Sequence, residues 1–328
     1  MRVRFLPFAA LVVALQYPAT AQPSFDCAKA SSTVERTICA DTELSSLDRE
    51  LAEVFRQAVA KAGNDSFVIR ADERRWLADV NEQCDRKEAV ACIREAFDMR
   101  ISELKSQSAA PAAEITVFRL TKVSSAYDFV VRMSAHTPEG MDGYLEGPAE
   151  ILVSRKSATA PFQTILMENV FLSLNKDGIP LTNAEPLYGD QGLINVGDFN
   201  FDGHEDFAVQ DGNAGSYGQP SYSVFLYSPD ARQFSLNRPL SELTRVGLGF
   251  FAVEPKKRRL IVLSKSGCCY HESTEYRVEH DAPIPVSRVI EDGTIDEKYM
   301  VVLHERYVDG RWRGTEERVP VPQQNRPN

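Results

Sequence analysis

The chain lacks the compact signatures by which hydrolytic and nucleotide chemistry are recognised. No serine sits in a Gly-x-Ser-x-Gly elbow; Gly215-Ser216 lacks the flanking spacing and context. There is no His-Glu-x-x-His, no phosphate-cradling glycine-rich loop and no dinucleotide fingerprint. Histidines are few and scattered, at positions 136, 204, 271, 280 and 304, so none pairs with another by spacing. Carboxylates are abundant, with 47 Asp and Glu against 37 Lys and Arg, but no two stand out as an acid and a base. A non-enzyme is therefore expected. A hydrolase with an unrecognised site is the third choice, behind two binding functions. Clustered cations are also scarce. The formal net charge is −10, which argues against nucleic acid, because phosphate binding needs concentrated positive charge. The run Lys256-Lys257-Arg258-Arg259 reads as a solvated turn between strands. An acidic balance favours cationic partners through steering, or simply keeps the surface soluble. No apolar run is long enough to span a bilayer as a helix, so membrane insertion is not expected.

What is present starts with a leader. Arg2 and Arg4 precede the short apolar core Phe5–Leu15, and Ala19-Thr20-Ala21 fits small-x-small cleavage. Residues 1–21 are expected to be a signal peptide, with Gln22 as the mature N-terminus. Loss of the two arginines moves the charge from −10 to −12. Asp26 rather than a lipobox precedes Cys27, so no lipid anchor is expected. The mature protein should be periplasmic or secreted. The even count of six cysteines suits an oxidising compartment.

Residues 22–104 read as helical. Leu44, Leu47, Leu51, Val54, Phe55 and Ala58 recur at three- and four-residue steps and predict a helix over about 42–61. Ser32 and Glu35 form a capping box for a shorter helix before it, and Gly63-Asn64-Asp65 is a break. Further helices are predicted over 67–84 and about 87–104, with Ile69, Trp76, Leu77 and Val80 on the inward face of one and Ile93, Phe97, Ile101 and Leu104 on that of the other. Such helices are marginal alone, and so small a core gains from staples. Proximity favours Cys27–Cys39 and Cys84–Cys92, although four cysteines allow three pairings. The spacing Cys27-(x11)-Cys39, with Leu44, Leu47, Asp48, Trp76-Leu77 and Cys84-(x7)-Cys92, resembles the N-terminal domain of the LprI-type lysozyme inhibitors. That resemblance implies an envelope protein that binds lysozyme.

Residues 105–114, rich in small residues and proline, read as a linker, and 323–328 as a disordered tail. Between them, 115–322 alternates with period two. Runs such as 115–120, 127–133, 149–153, 164–174, 222–227, 260–263 and 300–302 are separated by turn residues. Leu240–Val246 has room for one short helical turn. The expected class is α+β with two domains: a disulfide-stapled helical domain and an all-β domain, either a sandwich or a propeller-like array. No fixed period of 40–50 residues supports a regular propeller.

Two loops of the β domain carry chemistry. In Asp198-Phe-Asn200-Phe-Asp202-Gly203-His204-Glu-Asp206, side-chain oxygens at positions 1, 3, 5 and 9 and the His204 carbonyl suit a hard cation, and Gly203 permits the turn. Calcium (Ca2+) in a structural role is the expected ion. The other reading is an acidic turn whose side chains satisfy backbone donors. The loop is not an EF-hand, since Val209 stands at the twelfth position. It resembles the calcium loops of FG-GAP and integrin-type propellers. The second loop, Lys265-Ser266-Gly267-Cys268-Cys269-Tyr270-His271, reads as a hairpin tip. Its Ser-Gly-x-x-Tyr resembles the inhibitory loop of periplasmic lysozyme inhibitors of the MliC/PliC kind. The resemblance implies that Ser266, Tyr270, His271 and Lys265 enter a cleft lined by two carboxyl groups. The bland alternative is a turn in which Gly267 supplies positive φ. Cys268 and Cys269 read as a vicinal disulfide or as one buried and one exposed thiol; a zinc site is disfavoured.

A further exposed candidate runs from Asp211 to Tyr222, with Ser216, Tyr217 and Tyr222 as adaptable contact residues. Together with the acidic loop it resembles calcium-bearing immunity proteins that guard bacteria against lysozyme-like effectors of rival secretion systems. The leading expectation is thus a periplasmic inhibitor that plugs the cleft of a peptidoglycan-cleaving muramidase. The alternative is a calcium-stabilised envelope adhesion or assembly module.

Overall fold

The computed structural model describes residues 22–85, 88–107, 114–184, 187, 191–296 and 298–321. The signal-peptide reading, the centre of the linker and the tail lie outside these residues. The described residues fall into two compact units, one within Met1–Lys61 and Trp76–Ala110, the other within Ala62–Arg75 and Pro111–Asn328.

In the first unit, α1 (Thr33–Ala40) starts at Ser32, whose hydroxyl accepts from Glu35 N while the Glu35 carboxylate accepts from Ser32 N. The capping box read from sequence is therefore made, satisfying donors that a helix start leaves open. Helix α2 (Thr42–Ala62) buries Leu44, Leu51, Val54 and Ala58, one stripe at helical spacing. The break Gly63–Asp65 is a single 3₁₀ turn leading directly into α3 (Ser66–Gln83); this turn and the start of α3 up to Arg75 belong to the second unit, the rest of α3 to the first. Helix α4 (Ala89–Gln107) buries Ile93, Phe97, Ile101 and Leu104. Trp76 packs on Phe97 with ring centroids 5.4 Å apart. Leu77, expected inward, is instead 42% exposed, because Trp76 and Val80 occupy the buried side of that turn. The staples are Cys27–Cys39 and Cys84–Cys92, the nearest-neighbour pairings. Asp48 is nearly buried and accepts from Ser24 N, which ties the segment before α1 to α2.

The second unit contains three antiparallel sheets among the described residues, each a meander of sequential strands. The first is β1 (Thr116–Leu120), β2 (Tyr127–Met133), β3 (Tyr144–Arg155) and β4 (Gln163–Ser173). The next is β5 (Ile194–Gly197), β6 (Asp206–Gly212), β7 (Ser221–Ser228) and β8 (Gln233–Leu236). The third contains β9 (Ala252–Glu254), β10 (Arg259–Ser266), β11 (Tyr270–Glu279), β12 (Ala282–Asp292), β13 (Tyr299–Val308) and β14 (Arg311–Pro320). Strand β2 buries every second residue, as a strand facing a core on one side must. Strands β6 and β7 read as continuous apolar runs because both their faces are covered. Phe207, Val209 and Phe225 join the core of the first sheet, while Ala208, Tyr222 and Val224 join a second core with Leu240, Leu243, Phe250 and Leu260. That second core recruits α5 (Arg238–Val246), a full nine-residue helix rather than one turn. Asn237 caps it and two buried hydroxyls, Ser241 and Thr244, donate within the helix and accept from the edge amides of β7.

Candidate functional site

The acidic loop joins β5 to β6. Asp198 Oδ1 accepts from Asp202 N and its Oδ2 from Gly203 N, both at 2.9 Å. Asp202 Oδ1 accepts from His204 N at 2.8 Å, and Gly203 has φ +94°, the left-handed geometry the turn requires. Asn200 Nδ2 donates to Asp202 and to Asp281 on the β11–β12 turn. The His204 ring rests on Tyr227, with centroids 5.6 Å apart. Asp206 is 1% exposed, and its two oxygens accept from Phe199 N and Tyr227 N. Burial pushes its pKa up to about 7, the two backbone bonds oppose this, and the carboxylates of Asp202 and Asp198 add to the rise. Among the described residues, no three His, Cys, Asp or Glu side chains converge in a metal-binding cluster. The side chains of this loop thus do what the second reading of the sequence allows, closing backbone donors.

Glu205, within this loop, has a role that spacing alone does not reveal. Its carboxylate accepts from the hydroxyls of Ser124 and Ser125 and from Ala126 N, pinning the loop to the β1–β2 connection. Burial alone raises its pKa, but these donors outweigh burial and the net direction is down. Arg258 is a second unforeseen anchor. It belongs to the turn between β9 and β10, yet its guanidinium donates to Phe201 O and lies over the Phe201 ring. The basic run is a turn, as read, but this arginine is not simply solvated.

The two loops treated separately in the sequence meet in space. Tyr217 has φ +60° and ψ +30°, and its side chain is 59% exposed. Its hydroxyl accepts from Gly267 N, and Lys265 Nζ lies 4.7 Å from the centre of its ring. The base beneath is firmly built: Ser216 Oγ donates to Val246 O and Ser216 N to Gly247 O. Asp211 accepts from the hydroxyls of Ser221 and Ser223 and pairs with Arg245 at 2.9 Å. Ser266 and Gly267 are exposed at the hairpin tip, and Gly267 has φ +67°. Cys268 and Cys269 are joined to each other, so neither offers a thiolate to a metal.

Other candidates sit differently. Tyr270 lies on β11, half-buried; its hydroxyl donates to Glu272, and burial followed by that carboxylate raises its pKa. His271 pairs in register with Lys265 and Glu291 and lines a small recess with Leu248, Leu263, Glu272 and Glu291. Tyr222 requires a correction. It is fully buried, donates to Gly192 O and packs edge-on against Phe250, so it is a core residue rather than a contact residue. In the sequence it looked available only because it follows a Gly/Ser-rich loop.

With the stapled first unit and the surface of the second described, relatives can be set beside them. Residues 26–115 match the family "Lysozyme inhibitor LprI". This segment is similar to that family along its whole length. Lipoprotein LprI of Mycobacterium bovis and of Mycobacterium tuberculosis are each 29% identical to the chain over 85 residues, 26% of this chain and 42% of theirs. The chain thus spans less than half the length of these curated relatives. A solved structure of a Xanthomonas type IV secretion system related protein aligns with 61% of this chain and 97% of its own, at 23% identity and a TM-score of 0.48. Among the described residues, no helix is long and apolar enough to cross a membrane.

Proposed function

We propose that this chain is an exported, envelope-located inhibitor of a peptidoglycan-cleaving muramidase, acting by occlusion without turnover. The observation that carries this reading is the match of residues 26–115 to the family "Lysozyme inhibitor LprI". The surface of the second unit supports it. Ser266 offers a hydroxyl, Lys265 a cation and Tyr217 an exposed ring, held together on a tip braced by hydrogen bonds, a hairpin turn and a vicinal disulfide. A muramidase cleft presents a protonated carboxyl beside an ionised one. A hydroxyl suits the first, an ammonium the second and an aromatic ring a sugar subsite. Rigidity lowers the entropy lost on binding. The test is to follow cell-wall turbidity with hen-type, goose-type, invertebrate-type and effector muramidases. Protection against at least one supports the proposal. Protection against none sinks it, and recovery of a structural envelope protein from pull-downs then favours an assembly module.

Calcium belongs to the same reading. Asp198, Asn200, Asp202 and Asp206, with the His204 carbonyl, supply an all-oxygen donor set of the class calcium takes. The crowding of Asp198 and Asp202 around Asp206 gives a cation something to offset. Its role would be to brace the β5–β6 loop. Thermal unfolding in calcium should exceed that in chelator, and Asp202→Ala should abolish the difference. Identical curves for the unaltered protein would remove the ion from the account.

A further inference from the structure

We propose that the second unit holds a binding site for a neutral saccharide, in a cavity of about 420 Å³ between β3, β4, β6 and the loop that carries Tyr217. The volume falls in the range of small-molecule sites. The lining selects the ligand class. The ten described residues that line it are all uncharged. An ionic ligand would therefore be desolvated without a counter-charge, which is strongly unfavourable. A purely apolar ligand is equally mismatched, because four carboxamides (Gln191, Gln210, Asn213 and Gln219) line the same space.

Gln210 is the deciding residue. It is only 3% exposed, lies on the central strand β6 and contributes to the cavity wall. Its side-chain amide has no hydrogen-bond partner among the described residues. Its amide reaches the open cavity, so its donors and acceptor are available to a ligand in place of water. Gln191, also 3% exposed, has its Oε1 fixed by the Phe250 N–H at 3.0 Å. The backbone at Gly249 (φ +104°) approaches so closely that a Cβ there would stand 2.3 Å from Gln191 Nε2. One amide is thus locked in orientation and the other is open. Across the cavity, Tyr144 and Phe171 form a tilted aromatic pair, with centroids 5.6 Å apart.

A pyranose ring matches this combination. It presents a C–H face to an aromatic surface, and its vicinal hydroxyls offer donor and acceptor side by side, as a carboxamide does. A peptide shares the donors and acceptors but lacks the flat apolar face. The inference stands independently of the inhibitor reading, because it rests on the cavity and not on the hairpin tip.

The test is ligand-observed NMR and calorimetry on the full mature chain with chitotriose, cellotriose and trialanine. Binding of either sugar is expected, and preference for chitotriose would show that the site takes acetamido groups. Gln210→Leu should weaken sugar binding about tenfold or more, with an unfolding temperature equal to or above that of the unaltered protein. Asn213→Ala, at an exposed position, should weaken binding without changing the fold. Absence of sugar binding, undiminished binding by Gln210→Leu, or tighter binding of trialanine would each overturn the proposal.

Discussion

Tyr217 offers a sharp test, because its backbone and its side chain pull in opposite directions. Its φ of +60° and ψ of +30° place a tyrosine in the left-handed region, where a side chain costs about 1–2 kcal/mol relative to glycine. Tyr217→Gly relieves that cost. It also removes the hydrogen bond from Gly267 N, worth about 0.5–1.5 kcal/mol net, and the contact with Lys265, worth about 0.5–1 kcal/mol at an exposed site. The two sides nearly cancel, so stability should change by no more than about 1 kcal/mol. Tyr217→Ala loses the same contacts but keeps the strained backbone, and should be less stable than the glycine variant by about 1 kcal/mol. Inhibition should respond quite differently. If the exposed ring is the anchor in the muramidase cleft, both variants lose about 2–4 kcal/mol of binding, a roughly 30- to 1,000-fold weaker inhibition constant. Urea unfolding and cell-wall turbidity, run on the same preparations, separate these effects. Unchanged inhibition by both variants would refute the role given to Tyr217. An alanine variant as stable as the glycine one would refute the argument about its backbone.

Asp206 should make stability depend on pH in an unusual direction. Its folded pKa is raised from the ordinary carboxylate value to about 7, so the folded state holds this proton more tightly than the unfolded chain. The contribution is fully present below about pH 4 and is lost as pH rises through about 7. In metal-free buffer, the urea midpoint attributable to this group should fall across that window, and Asp206→Asn should remove that limb; parallel curves for the two proteins would contradict the assignment. In the first unit, replacing Cys27 and Cys39 together by serine opens a bridge between residues 12 apart. This should cost roughly 3 kcal/mol, read as an earlier loss of helix signal on urea titration. A midpoint unmoved by the double replacement would mean that the helices hold without that staple.

Much of the local structure was legible in the residues. Helix α2 announces itself by its apolar stripe, and α1 by Ser32 and Glu35, because both signals act within one or two turns of chain. The alternation of Tyr127–Met133 likewise fixes which side of β2 faces inward. Strands β6 and β7 gave weaker signals, since burial on both faces erases alternation. Leu77 and Tyr222 were misplaced for a related reason: spacing gives a set of faces, and only the packed neighbours decide which face is buried.

Sequence alone determined the helical-then-β order and the turn positions of Gly203 and Gly267, and favoured the short-range cysteine pairings, all of which depend on interactions between residues close in the chain. Tertiary structure decided what those elements bring together. It placed Tyr217 against Lys265 and Gly267, tied Glu205 to Ser124 and Ser125, and gathered four carboxamides around one cavity. The first two join residues 50 and about 80 positions apart, the third closes a cavity against the separate β1–β4 sheet, and no local periodicity encodes such distances.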